Sequence, residues 1–401
     1  MGKGSDVVII GCARTPIGRF GGVFRSLRAY RLAGIAMAEA MNRAGIEPGQ
    51  LSDVILGDCL QCADEANTAR TAALGIGIPM EVPGVTIQRG CASGMQAVIF
   101  AAQQLQSGDS EIVLAGGVES MSSAPYVLPA VRWGARLQHN VMMDPVWEVL
   151  HAGSNLLERG NGYIMGRTAE NLAQKYNIQR EEQDLIALRS HNNAELATKA
   201  GLFKEEITPV EVSGTKGRPE VVDKDEHIRF GLKMEALSSL KPAFRPDGTV
   251  TAGNSSGLND GAAALVLTNR ARAKDLGVPP LARIVAKSVA GVDPRFMGYG
   301  PVPATQKVLK MAGLDLRQIE LIELNEAFAA QYLACEKGLG LNREITNVNG
   351  SGIALGHPVG ATGARILISL IYEMKRRSVT LGLATLCVGG GMGAAVILEN
   401  E

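Results

Sequence analysis

The sequence predicts an α/β protein made of two similar halves. Short apolar strand patterns alternate with longer helical ones along most of the 401 residues. A stretch near the start also returns without a gap in the last third: Arg43-Ala-Gly-Ile-Glu-Pro-Gly-Gln-Leu-Ser-Asp-Val-Ile-Leu-Gly57 aligns on Met311-Ala-Gly-Leu-Asp-Leu-Arg-Gln-Ile-Glu-Leu-Ile-Glu-Leu-Asn325.

Nearest the start, Val7–Cys12 is an apolar, largely β-branched run and reads as a strand. Arg31–Ala44 is helical and stops at Gly45; Val54–Leu56 is the next strand. The apolar run Val82–Ile87 leads into a glycine-rich turn, the helix Met95–Leu105 and the strand Ile112–Ala115. In the second copy the helix ends at Gly313 and an apolar strand again comes next. The turn holding Cys91 then corresponds to the turn holding His357, each opening a helix. Ile112-Val-Leu-Ala-Gly-Gly117 corresponds to Ala384-Thr-Leu-Cys-Val-Gly-Gly390. Between the halves, roughly 120–249, the pattern breaks down. Pro125, Pro129, Pro145, both tryptophans and the charged run Val222–Arg229 lie there. The stretch reads as an inserted loop domain, placed to carry binding residues over a rigid scaffold.

Composition narrows the function. Lys plus Arg number 40 and Asp plus Glu 40, so no basic face is implied and nucleic acid is not an expected partner. No apolar run approaches the roughly 18 residues of a membrane helix, so no membrane partner is expected. Six scattered cysteines fit a reducing compartment, and a cytoplasmic protein is expected. Glycine, at 48 residues, suits tight turns and close backbone approach around a ligand.

The chemistry points to three glycine-rich turns. Cys91 lies in Gln88-Arg-Gly-Cys-Ala-Ser-Gly94, where a strand hands over to a helix. Free N–H groups and the helix dipole there are expected to stabilise a thiolate. His357 lies in Gly356-His-Pro-Val-Gly-Ala-Thr-Gly363; its imidazole is suited to take the proton. Pro358 biases the residue before it to extended backbone and so keeps the histidine out of the following helix. Cys387 lies in Leu386-Cys-Val-Gly-Gly-Gly391, and a thiol can be tuned towards acid/base work near neutral pH.

These residues resemble the thiolase family, of the acetyl-CoA acetyltransferase type. The resemblance runs from Val7-Val-Ile-Ile-Gly-Cys-Ala-Arg-Thr-Pro-Ile-Gly18 to Gly389-Gly-Gly-Met-Gly393. Gly116-Gly-Val-Glu-Ser-Met-Ser122, Met165-Gly-Arg-Thr-Ala-Glu-Asn171, Asp247–Gly257 and Asn325-Glu-Ala-Phe-Ala329 lie between. It implies a thiolase-like fold of two five-stranded mixed-sheet halves in α-β-α-β-α layers. Residues 1–119 plus 250–271 would form the first half, 120–249 an inserted loop domain binding CoA, and 272–401 the second half. It implies Cys91 as nucleophile, His357 as its base and Cys387 as the acid/base for the α-carbon. Gly389 would share an oxyanion hole with Cys91, and Asn325 would complete a second hole with His357 through a water. Glu326 would orient its neighbours. Ser256 would hydrogen-bond the pantetheine chain of CoA and Arg229 would pack near the adenine. Ala252, Leu258, Met165, Met297 and Phe328 would line the pantetheine tunnel. CoA and acyl-CoA are substrates here, no separate cofactor is expected, and a homodimer or homotetramer is implied.

Two departures bear on specificity. Many members carry Tyr-His-Met-Gly where this chain has Tyr163-Ile-Met-Gly166, which changes a tunnel contact at Ile164. Arg136–Asp144 also lacks the basic character common in biosynthetic members. A longer-chain 3-ketoacyl-CoA thiolase of β-oxidation is therefore the close alternative. An acyl-CoA or lipid binding protein on the same fold is the non-enzymatic one. Cys59-Leu-Gln-Cys62 has metal-ligand spacing but no second pair, so no metal is expected.

Overall fold

The computed structural model describes residues 6–151, 164–214 and 218–401. The first strand, β1 (Val7–Arg14), is followed by the two-residue β2 (Gly18–Arg19), helix α1 (Ala29–Ala44) and β3 (Asp53–Gly57). Helix α2 (Thr68–Gly75), β4 (Gly84–Ile87), α3 (Ser93–Ser107) and β5 (Ile112–Ser120) complete the first run. A less regular stretch contains α4 (Pro145–Leu150), α5 (Met165–Lys175), α6 (Arg180–Lys199), the hairpin β6 (Val210–Ser213) and β7 (Pro219–Val222), and α7 (Met234–Ser238). Strand β8 (Asn259–Asn269) then returns to the first sheet, and α8 (Arg270–Leu276) leads onward. The second run is β9 (Ala282–Gly291), α9 (Pro301–Ala312), β10 (Leu321–Leu324), α10 (Ala329–Leu339), α11 (Gly352–Leu355), α12 (Val359–Arg377), β11 (Leu381–Val388) and β12 (Met392–Asn400).

Strand order shows the duplication directly. The first half runs β4-β3-β5-β8-β1, with β4, β3 and β5 parallel and the other neighbours antiparallel. The second runs β10-β11-β12-β9 with the matching directions. Its fifth position is held by a single parallel bridge between Ile322 and Thr346. The halves are stitched edge to edge by two residue pairs between β1 and β9, so ten strands, with β2 on β8, form one continuous sheet. The aligned repeat is structural as well. Gly45 (φ 61°) and Gly313 (φ 69°) close α1 and α9 in left-handed geometry. Soon after each, a side-chain amide (Gln50, Gln318) accepts the backbone N–H of the residue three positions before it, Glu47 or Asp315.

Strand alternation sorts the apolar side chains into layers. Val7 and Ile9 of β1, Val113 and Ala115 of β5, and Leu386 and Val388 of β11 face a central core with Met95–Leu105 of α3 and Ala364–Met374 of α12. The intervening Val8, Ile10, Ile112 and Leu114 face an outer core with α1 and α2. Leu383, Cys387, Ala395 and Ile397 face the opposite outer core with α9 and α10. Helices α3 and α12 thus lie between two sheet halves, with further helices outside: five layers.

The two central helices touch through backbone. A Cβ on Gly94 would meet Gly360 O at 2.8 Å, and one on Gly363 would meet Met95 N at 2.5 Å. A Cβ on Gly57 would collide with Ser93, one on Gly117 with Gly360 O, and one on Gly360 with Val118 O. Five glycines from four segments therefore make one close crossing at the start of α3 and α12.

The stretch between β5 and β8 is anchored by a buried charge cluster. The fully buried Arg14 pairs with Glu206 and Asp225, each at 2.7 Å, while Asp225 also accepts the Ile17 N–H. Leu172, Ile186, Leu237 and Val250 from the same stretch complete the outer core of the second half.

Gly117→Ala is expected to destabilise the fold by about 2–3 kcal/mol through overpacking. Gly75→Ala, whose Cβ would meet only Tyr30 at 4.0 Å, is expected to leave stability unchanged or raise it by up to about 1 kcal/mol. Urea denaturation of both variants checks the contrast.

Candidate active site

The Cys91 turn is built by its own residues. Ser93, the first residue of α3, accepts the Arg89 N–H at 2.8 Å and donates to Gly90 O at 2.7 Å. That loop aims Cys91 at the β11–β12 turn, because Gly90 packs against Val388 and Gly389. Two backbone N–H groups, from Gly389 and from Cys91 itself, reach the Cys91 sulfur. Even so, burial pushes the Cys91 thiol up to about 11, and Glu119 adds to the rise. This corrects the expectation of a thiolate stabilised by its helix terminus. Desolvation of the charge outweighs the N–H donors, so the resting group is a thiol and its ionisation needs a base.

His357 sits between α11 and α12. Its N–H donates to Asn259 Oδ1 at 2.9 Å, and Gly356 (φ 105°) precedes it against the same asparagine. Nδ1 lies 2.7 Å from Thr362 Oγ1, while the Thr362 hydroxyl donates to Pro358 O at 2.9 Å. The hydroxyl proton is thereby committed, so Thr362 accepts from Nδ1–H. Nε2 is left as the unprotonated nitrogen, and it has no hydrogen-bond partner among the described residues. Burial and the nearby Arg365 push the His357 imidazole down to about 3. Arg365 is itself buried: its guanidinium lies 3.8 Å from Glu323, whose carboxyl burial lifts to about 8.

Asn325 follows β10, and its N–H is fixed to Thr385 O at 3.0 Å. Both atoms of its side-chain amide are buried without partners among the described residues. It abuts Gly352 at the start of α11, the helix that leads to His357. Glu326 beside it holds Ser190 and Asn347. Cys387 is fully buried on β11, and its thiol is raised by burial, by Cys91 and by Cys335.

The structure thus brings Cys91, Cys387 and Gly389 together, and Met165 joins them, its sulfur 3.2 Å from a Cβ built on Gly389. Leu258 and Cys91 pack on the same small cluster of Cys59, Met121, Val146 and Val359. Val359 ties that cluster to the helix of His357. Phe328 and Met297 are buried in the outer core that holds Cys387, with Phe328 edge-on to Phe244. Ser256 is half-buried, its N–H on Ala327 O at 2.9 Å. Arg229 and Ala252 are exposed and belong to none of the clusters around the cysteines. Ile164 precedes α5 and is half-buried; Tyr163 lies outside the described residues. Cys59 and Cys62 are spent on hydrogen bonds to Gly90 O and Leu60 O. No cluster of three or more metal-ligating side chains occurs among the described residues. A surface cavity of about 730 Å³ between α9 and α10, lined by Leu309, Lys310, Leu316 and Leu339, contains none of these groups. Sequence reasoning missed Thr362, Asn259, Glu119 and Asp58. Thr362 alone had a signal, one helical turn into the helix that His357 precedes.

Comparison with known proteins agrees with this geometry. The thiolase N-terminal domain model matches residues 7–271 and the thiolase C-terminal domain model matches 278–400. An acetyl-CoA acetyltransferase of Cupriavidus necator is 48% identical over 402 residues, spanning 99% of this chain and 100% of that protein. Its counterpart in Pseudomonas aeruginosa is 48% identical over 396 residues, with 99% and 100% covered. The Bacillus anthracis acetyl-CoA acetyltransferase crystal structure superposes with a TM-score of 0.95 at 54% identity, covering 99% of both chains. Human mitochondrial 3-ketoacyl-CoA thiolase in complex with CoA gives 0.94 at 42% identity, covering 99% and 98%.

A free histidine titrates near pH 6.5, whereas folded His357 titrates near 3. Between those values the unfolded chain binds a proton that the folded chain refuses, so stability falls with falling pH. His357→Gln removes this proton uptake. Relative to the parent protein its unfolding free energy is expected to rise by about 1.4 kcal/mol per pH unit from pH 6 to 4. Urea midpoints across that range check the sign.

Proposed function

The chain belongs to the thiolase family, and on that footing we propose that it is an acetyl-CoA C-acetyltransferase. It carries out thiolysis of acetoacetyl-CoA and, in reverse, Claisen condensation of two acetyl-CoA molecules. The carrying observation is the convergence of the Gly389 and Cys91 N–H groups on the Cys91 sulfur, beside the second thiol, Cys387.

In the cleavage direction the Cys91 proton passes to His357 Nε2 as the sulfur attacks the 3-keto carbon. The N–H groups of Cys91 and Gly389 receive the oxyanion. The C2–C3 bond breaks, leaving an acetyl group on Cys91 and an enolate of acetyl-CoA. Nε2–H, now protonated, and Asn325 face the enolate thioester oxygen; the unpartnered amide of Asn325 supports that role. Cys387 protonates the enolate carbon, and acetyl-CoA leaves. Incoming CoA gives its thiol proton to the Cys387 thiolate and attacks the acetyl group. Cys91 departs as thiolate and recovers its proton from His357. Every proton is returned, and the Thr362 hydroxyl holds the imidazole in one tautomer throughout.

Ser256, Met165, Met297, Leu258, Phe328, Ala252 and Arg229 are proposed as the CoA-binding residues, with 120–249 as the insertion that forms much of that site. The CoA bound to the human relative supports a CoA site on this fold. No separate cofactor enters the scheme. A homodimer or homotetramer is proposed, supported by large exposed apolar side chains such as Trp133 and Leu137, 95% and 98% exposed. A cytoplasmic setting is proposed; no described helix is long and apolar enough to cross a membrane.

The test offers acetoacetyl-CoA and 3-ketohexanoyl- to 3-ketodecanoyl-CoA with free CoA. Rapid cleavage of acetoacetyl-CoA alone is expected, with kcat falling at least about 1,000-fold in Cys91→Ala and in Cys387→Ala. A preference for longer chains would move the protein to the 3-ketoacyl-CoA thiolases. No cleavage by folded protein would leave an acyl-CoA binding protein.

A further inference from the structure

Two buried carboxyl groups lie beneath the reacting turns and have no part in the chemistry above. Asp58 directly follows β3 and Glu119 is near the end of β5; their exposures are 1% and 0%. Asp58 Oδ2 accepts the Thr68 hydroxyl at 2.6 Å. Glu119 Oε1 accepts the Leu60 N–H at 3.1 Å and Oε2 the Gly360 N–H at 2.9 Å. Burial raises both carboxyl groups, Asp58 to about 6 with Glu65 adding to the rise, and Glu119 is raised as well by repulsion from Asp58. Asp58 Oδ1 has no hydrogen-bond partner among the described residues. No Lys, Arg or His forms an ion pair with either among the described residues.

Its attachments give it a role. Gly360 is the second residue of α12, the helix that begins directly after His357 and Pro358. Pro358 offers no capping side chain, so Glu119 caps this helix from another strand. Leu60 adjoins Cys59, whose thiol meets Gly90 O at 3.2 Å and Ser93 Oγ at 3.4 Å, on either side of Cys91. One carboxyl group thus joins the loop under the nucleophile to the start of the helix behind the base. Thr68 fixes Asp58 from α2.

We infer that Glu119 is a positioning residue that clamps α12 to the loop beneath Cys91 and thereby sets the approach of His357 Nε2 to the Cys91 sulfur. This rests on the Cys91–His357 acyl-transfer reading. Glu119→Gln turns an amide N–H towards a backbone N–H and loses one end of the clamp. Glu119→Asp keeps a carboxyl group but falls short by one methylene. Asp58→Asn changes the neighbouring carboxyl group and leaves both ends of the clamp in place.

The test measures steady-state kinetics with acetoacetyl-CoA and the rate of Cys91 alkylation by iodoacetamide. For Glu119→Gln and Glu119→Asp, kcat and the alkylation rate constant are expected to fall about 10- to 100-fold, with KM within about 3-fold. Alkylation is expected to remain a single exponential at one Cys91 per chain, which a partly unfolded population would not give. Asp58→Asn is expected to keep both rates within about 3-fold of the parent. Parent-like rates in Glu119→Asp, or equal losses in Asp58→Asn and the Glu119 variants, would overturn the proposal. If Glu119→Gln does not fold, Glu119→Asp and Asp58→Asn decide by the same criteria. If the parent protein cleaves no acyl-CoA, the thiolase reading fails by itself, and alkylation rates still judge the clamp.

Discussion

The site depends on one steric constraint: four backbone segments meet where no side chain fits. Gly57, Gly94, Gly117, Gly360 and Gly363 let the first turns of α3 and α12 cross over the strand ends β3 and β5. A single methyl group at this crossing would displace helices whose opposite faces are locked into the central core. Cys91 lies just before one helix and His357 just before the other, so the crossing sets their mutual distance. The same crossing leaves N–H groups of α12 facing inward, and Glu119 meets one of them. Glycine here brings two functional turns close because it removes bulk; flexible backbone is not what the site uses.

Burial then decides the charge states. A cysteine at a helix start reads as a thiolate when only its own turn is considered. In the folded chain both cysteines and the histidine are desolvated, and each is pushed towards its neutral form. The resting site is therefore thiol, thiol and neutral imidazole, an uncharged set that an apolar acyl chain can enter. A charge forming there needs donors beside it, and the N–H groups of Gly389 and Cys91 are the ones at the Cys91 sulfur. Arg365 behind the imidazole reinforces neutrality, with the Glu323 carboxyl group 3.8 Å from its guanidinium.

The duplication explains where each catalytic part sits. Strands β5 and β11 occupy equivalent places, and so do α3 and α12. The connections leaving the two strands differ. After β11 the chain turns back within three residues, Gly389 to Gly391, and presents an N–H to Cys91. After β5 it makes the long excursion to β8. One half thus contributes a tight glycine turn at Cys91, and the other contributes the loops that carry Met165, Ser256 and Leu258. The buried triad of Arg14, Glu206 and Asp225 holds that excursion against β1.

Element order, the repeat, the helix-ending glycines and the three reactive turns were legible in the sequence. Each is written in a few consecutive residues: alternation for β1 and β5, Gly45 and Gly313 for the helix ends, and a chemically distinctive residue in each turn. The seam between β1 and β9, the single bridge at Ile322 and Thr346, the Thr362 acceptor and the Asp58–Glu119 pair were not. Each joins residues from different segments, or rests on the direction of a side chain that spacing does not fix. The depth of Cys91 and His357 is of the same kind. Desolvation is produced by atoms from many parts of the chain, so only the packed structure could show that Cys91 is pushed towards its thiol and His357 towards its neutral imidazole.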